Sequence, residues 1–101
     1  MTQRFASFRD FYPYYLAEHR KPATRRLHFI GTLLVILTVV YAVAMQRWGF
    51  LVLAPVFGYG LAWIGHFVFE KNRPATFEHP LYSLAGDFVM FKDLLMGRIP
   101  F

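Results

Sequence analysis

Four histidines, His19, His28, His66 and His79, stand in a chain of 101 residues that contains no cysteine. Imidazole is a common ligand for iron, zinc, copper and nickel. The lack of thiols removes disulfides, thiolate metal sites and a Cys nucleophile. The densest chemistry lies in His66-Phe67-Val68-Phe69-Glu70-Lys71-Asn72-Arg73-Pro74-Ala75-Thr76-Phe77-Glu78-His79-Pro80, which closes a long apolar run. Ionisable groups beside an apolar phase are costly and are usually kept for a function. Four imidazoles, or three with Glu70, could hold one transition metal. Glu70 follows His66 by one helical turn and so shares its face. Glu18, Glu78 and Asp87 are candidates to orient a ligating ring from behind. No Gly-rich phosphate loop, Ser-His-Asp arrangement or HExxH motif is present.

Composition indicates where such a site would be carried. The chain is 56% hydrophobic and 20% aromatic but only 17% charged, against about a quarter charged in soluble domains. A chain this small cannot hide that much apolar surface in a water-soluble fold, whereas a bilayer can. The expected fold is therefore all-α: an integral membrane four-helix antiparallel bundle, one domain over residues 1–101. Ile30 to Met45 has no charged residue, and Phe50 to Phe69 is interrupted only by Pro55, glycines and His66. Each run approaches the roughly 20 residues that a membrane helix needs. The short turn Gln46-Arg47-Trp48-Gly49 makes the two runs antiparallel neighbours, with Gly58, Gly60 and Gly65 allowing close approach. Two amphipathic helices flank them. Residues 4–19 show Phe5, Phe8, Tyr12, Tyr15, Leu16 and His19 at helical spacing, with Pro13 as a weak point. Residues 81–96 show a stripe of Leu81, Leu84, Ala85, Phe88, Phe91 and Leu95, with Ser83 and Asp87 on another face and Gly97 and Pro100 as the stop. Pro22 is expected to end the first helix and Thr24 to cap the second.

The hairpin sets the depth of the histidines. His28 lies 19 residues before Arg47 and His66 lies 19 after it, so both sit roughly 28 Å from the turn. His19 and His79 fall in or beside the basic turns on that same side, so all four can converge near one membrane surface. An echo supports the convergence: Glu18-His19-Arg20-Lys21-Pro22-Ala23-Thr24 and Glu70-Lys71-Asn72-Arg73-Pro74-Ala75-Thr76 share E-x-x-[K/R]-P-A-T, as two helix–turn–helix halves would. The formal charge is +5, and only Arg47 among the basic residues lies between the apolar runs. Basic residues that flank spans are better explained by anchoring at an anionic cytoplasmic surface than by nucleic-acid binding. The termini and the site are expected on the cytoplasmic side.

Tyr15-Leu16-x-x-His19, Arg26-Leu27-His28-x-x-Gly31, the His66 to Thr76 segment, His79-Pro80 and Asp87 together resemble the family of 2-hydroxy fatty acid dioxygenases. That family comprises fungal endoplasmic-reticulum enzymes of phytosphingosine breakdown and short bacterial relatives long catalogued as a domain of unknown function. The resemblance covers nearly the whole chain. It implies an integral membrane protein, of the cytoplasmic membrane if bacterial and of the endoplasmic reticulum if eukaryotic. It implies that Fe(II) and O2 are used to shorten a 2-hydroxy fatty acid by one carbon. By position, His19, His28, His66 and His79 would be the iron ligands. An acyl chain would lie between the apolar helices, its carboxylate meeting Arg25, Arg26 or Arg73.

Two other classes fit the residues. Paired histidines at equal depth in antiparallel helices also hold b-type haem in redox or carrier proteins. A small non-catalytic membrane adaptor would use its histidines only as interfacial polar groups. A homo-oligomer is compatible with any of these.

Overall fold

The computed structural model describes residues 5–101; Arg4, the expected start of the first helix, lies outside them. Four α-helices and no strand are found among the described residues: α1 (Phe8–Ala17), α2 (Pro22–Ala44), α3 (Leu53–Ile64) and α4 (Pro80–Leu95). Ser7 caps α1, its hydroxyl accepting the Asp10 amide at 3.2 Å, which satisfies one of the orphan donors of the first turn. Pro13 lies inside α1 without ending it. Two local expectations are corrected. Pro22 starts α2 rather than stopping α1, in the first turn where its missing N–H costs nothing. Thr24 is not the cap; it lies inside α2, buried, with its hydroxyl directed at the Gly65 carbonyl at 3.5 Å.

The second apolar run is one continuous winding, Trp48–Glu70, whose pitch changes twice. It opens as a 3-10 turn (Trp48–Val52), continues as α3 and loosens into a π-helix over Gly65–Glu70. It packs antiparallel to α2, as the short turn requires. A methyl placed on Gly31 would meet the Phe57 carbonyl at 3.2 Å, and one on Gly65 would meet Thr24 at 3.0 Å. Gly58 approaches Val35, whereas Gly60 faces open space and has no packing role. Both Pro22–Ala44 and Trp48–Glu70 are long and apolar enough to cross a membrane, and only 22% and 17% of their most apolar stretches is buried within the chain. A soluble core helix would be largely covered.

α4 turns its apolar stripe outward. Leu81 is 81% exposed and Leu95 66%, with Leu84 and Phe88 also exposed; the inward face is Ser83, Gly86, Met90, Asp93 and Leu94. Small and polar residues let helices approach and hydrogen-bond where lipid takes the apolar side. On that face Tyr12 donates to Asp93 at 2.7 Å and Tyr15 donates to Asp87, tying α4 antiparallel to α1. Between them lies an aromatic core around Phe11, Tyr15, Met90 and Leu94. Phe11, absent from the expected α1 face, is fully buried there.

Candidate metal centre

His19 stands just past the end of α1, His28 in the second turn of α2, and His66 in the π-helical end of the second span. One ring nitrogen from each lies within 4.8 Å of those of the other two, and all three residues are buried. The equal-depth argument from the hairpin holds for His28 and His66. His19 joins them because α1 folds back over the open end of the hairpin.

The tautomers follow from the partners. The Nδ1 of His19 faces the Tyr15 carbonyl at 2.6 Å, and that of His28 faces the Thr24 carbonyl at 3.2 Å. A carbonyl only accepts, so each Nδ1 donates. The third ring is held by Asn72. The Asn72 amide group donates to the Glu18 carbonyl at 3.1 Å and to its carboxylate at 3.3 Å. Its oxygen therefore faces His66 Nδ1, at 2.7 Å. With every Nδ1 carrying a proton, a neutral ring presents a bare Nε2. The Nε2 atoms of His19 and His28 then face each other at 3.0 Å. Two lone pairs at that distance repel unless a proton or a cation lies between them. Burial first, and then the neighbouring His28 and His66 rings, hold the His19 imidazole well below its usual pKa, which disfavours the proton.

The cleft fits a cation in size as well. It is walled by the three histidines with Tyr15, Tyr59, Ser83 and Asp87, and its volume is about 10 Å³. That is room for about one water-sized occupant. Asp87 brings a carboxylate oxygen to 3.9 Å from His28 Nε2. Burial pushes its carboxyl up to about 6, against the lowering effect of the Tyr15 hydroxyl. Ser83, 2% exposed, lines the cleft with a hydroxyl that has no partner among the described residues.

The other expected site residues lie elsewhere. The His79 ring is not brought into the cluster; it packs among Phe5, Phe11 and Tyr14, its Nε2 without a hydrogen bond among the described residues and 3.9 Å from Glu78. It opens α4 at its N-cap, so its ring packs into the aromatic core. Glu70 accepts the Lys21 amide at 2.7 Å and thereby secures the start of α2. Glu18 acts at one remove, through Asn72. Arg25 donates from Nε to the His19 carbonyl at 2.8 Å, Arg26 donates to the Phe101 carbonyl and covers its ring, and Arg73 lies over Phe77. None of the three arginines lines the cleft or the apolar groove beside it. Their guanidiniums find nearer acceptors and rings.

Asn72 is the residue that sequence reasoning missed. Lys71 takes a left-handed conformation, φ 59°, unusual for a side chain with a Cβ. This returns the Asn72 amide to the His66 carbonyl at 3.0 Å. Asn72 thus holds His66 by backbone and ring together, and the loosened π winding delivers that ring. π segments recur at functional sites. Replacing Asn72 by Leu should lower metal affinity by about 10–100-fold while leaving the helix content unchanged; metal titration of the two proteins followed by circular dichroism checks it.

The motif pair also meets in space: the first copy's Lys21 donates to Glu70 of the second, and the second copy's Asn72 donates to Glu18 of the first. No curated protein and no solved structure matches the chain significantly. A family model described as 2-hydroxy-palmitic acid dioxygenase Mpo1-like matches residues 5–99. With that match spanning nearly all of the chain that builds the three-histidine cleft, the protein belongs to the Mpo1-like family.

Proposed function

We propose that this protein is an iron(II)-dependent dioxygenase of the membrane that shortens long-chain 2-hydroxy fatty acids by one carbon. The observation that carries the proposal is the convergence of three buried imidazoles, each with its Nδ1 proton held and its Nε2 turned inward. His19, His28 and His66 would hold the ion, and Asp87 stands near enough to complete or tune the set. Bound iron(II) supplies one-electron redox chemistry toward O2 that these side chains lack.

The chain's own residues do the rest. Tyr15 orients Asp87, and Glu18 orients Asn72, which orients His66. The Ser83 hydroxyl is available to a carboxylate or hydroxyl that enters the cleft. The reaction balances without a further reductant. The C1–C2 bond of the 2-hydroxy acid breaks, C1 leaves as carbon dioxide, C2 becomes the new carboxyl, and the electrons lost reduce O2, with water as co-product.

Iron-loaded protein incubated with matched 2-hydroxy and plain acids under oxygen should consume only the former, and mass spectrometry should find the acid one carbon shorter. If neither acid is consumed, the catalytic reading fails and a metal-binding carrier or adaptor replaces it.

Residues 1–101 act in this reading as one membrane-embedded unit, with the cleft and the basic turns at the cytoplasmic face. Because the chain has no cysteine, single substitutions report topology cleanly. Arg20→Cys and Arg73→Cys should be labelled from the same side of sealed vesicles and Arg47→Cys from the other. Labelling of Arg20→Cys and Arg73→Cys from opposite sides would refute the hairpin.

A further inference from the structure

Beside the histidine cleft, a second cavity of about 230 Å³ opens between α2, α3 and α4. Its walls are largely apolar: Val35, Ala54, Pro55, Gly58, Leu84 and Phe88. His28, Tyr59 and Asp87 line both this groove and the histidine cleft, so the two spaces meet at a polar neck. From His28 the groove follows α2 through Thr32 to Val35, seven residues or about 10 Å toward the turn at Arg47. Leu84 and Phe88, on its α4 wall, are half exposed, so the groove opens sideways where the spans would face lipid.

The geometry points to lateral entry of the substrate from the bilayer: the first part of an acyl chain lies in this groove, and its head group passes between Tyr59 and Asp87 to the histidines. This rests on the function proposed above. Three observations identify the occupant. The groove is largely apolar, it ends in the groups that would bind a polar head, and no lysine or arginine among the described residues lines it. An acyl chain with its reactive carbons at one end has that polarity, whereas a free polar metabolite does not. The groove is shorter than a long chain, so the tail extends into the lipid. Because lipid tails are as apolar as the groove walls, moving a chain from bilayer to groove gains little hydrophobic energy. The groove therefore selects by shape and by the metal-side head group.

Ala54 is the position that decides occupancy. It is half-buried on the groove wall and twelve residues, about 18 Å, before His66 along the same winding, so a phenyl ring there fills the groove at the end far from that histidine. Gly60 lies on the same helix, and a methyl placed on it would meet nothing within 4 Å, so it serves as the control.

The test uses the full chain, metal-loaded and in lipid nanodiscs. A long-chain 2-hydroxy acid carrying a diazirine on its proximal methylenes is photolysed and the adducts are mapped by mass spectrometry. Adducts should fall on α2, α3 and α4 residues of the groove and be displaced by excess unlabelled 2-hydroxy acid. Ala54→Phe should cut them by about tenfold or more, the cost of forcing a ring and a chain into one space, with metal content unchanged. Gly60→Leu should leave them as they are. Adducts spread along the outer faces of the spans, or unaffected by Ala54→Phe, would overturn the groove while leaving the metal centre and the chemistry standing. Adducts in the groove without consumption of the acid under oxygen would support lateral binding and defeat the dioxygenase reading.

Discussion

His28→Ala and His66→Ala should each strip most of the bound metal from the purified protein while leaving its membrane insertion unchanged. Each removes a donor whose partner nitrogens lie within 4.8 Å. The loss should exceed the roughly 10–100-fold that removing a supporting hydrogen bond costs. Insertion should survive because the apolar lengths of Pro22–Ala44 and Trp48–Glu70 remain. A second readout separates lost ligation from general damage. In metal-free protein His28→Ala removes a lone-pair repulsion at 3.0 Å but also a buried ring and its bond to the Thr24 carbonyl, so the metal-free thermal midpoint of each variant is the baseline against which its response to metal is read. Wild type should gain about 2.7 kcal/mol when metal stands at a hundred times its Kd, and the variants should gain little. His79→Ala supplies the contrast, since that ring packs among Phe5, Phe11 and Tyr14 and its loss should spare the metal. Full metal in both His28→Ala and His66→Ala would mean that the cleft is not a metal site. Loss of metal in His79→Ala would return that ring to the ligand set.

Zinc substitution should abolish turnover without abolishing binding. Three neutral imidazoles suit zinc as well as iron, so zinc-loaded protein should match the iron form in stoichiometry and thermal stability. Zinc has no accessible redox change, so consumption of 2-hydroxy acid should fall to background and return when the zinc is chelated and iron(II) is restored anaerobically. The 2-hydroxyl should matter in the iron form alone. Equal turnover with zinc would point to a non-redox reaction and would sink the dioxygenase proposal, although the three-histidine site would survive.

Much of the frame is legible in the residue order. The two long apolar helices are dictated by length and apolarity, and the joint level of His28 and His66 by counting outward from Arg47, because helical rise is constant. The E-x-x-[K/R]-P-A-T echo marked the two turns that hold the cleft together. What residue order could not reveal depends on which neighbour each group meets. The stripe of Leu81, Leu84, Phe88 and Leu95 has a core helix's spacing, yet in a chain with two exposed apolar spans it turns outward and Ser83, Gly86 and Asp93 turn in. Periodicity identifies a face but not the phase that it faces. The reach of Asn72 to His66 depends on a π winding and a left-handed Lys71, neither of which has a period to detect. Arg25, Arg26 and Arg73 looked free for a carboxylate because their nearer acceptors and rings, at His19, Phe101 and Phe77, become neighbours only when the chain folds. The donor types were therefore set by sequence and the long helices by apolar length. Which nitrogens point inward, and which carboxylate stands beside them, was decided by packing α1 and α4 across the open end of the hairpin, since hydrogen bonds are made at single ångströms that sequence spacing does not encode.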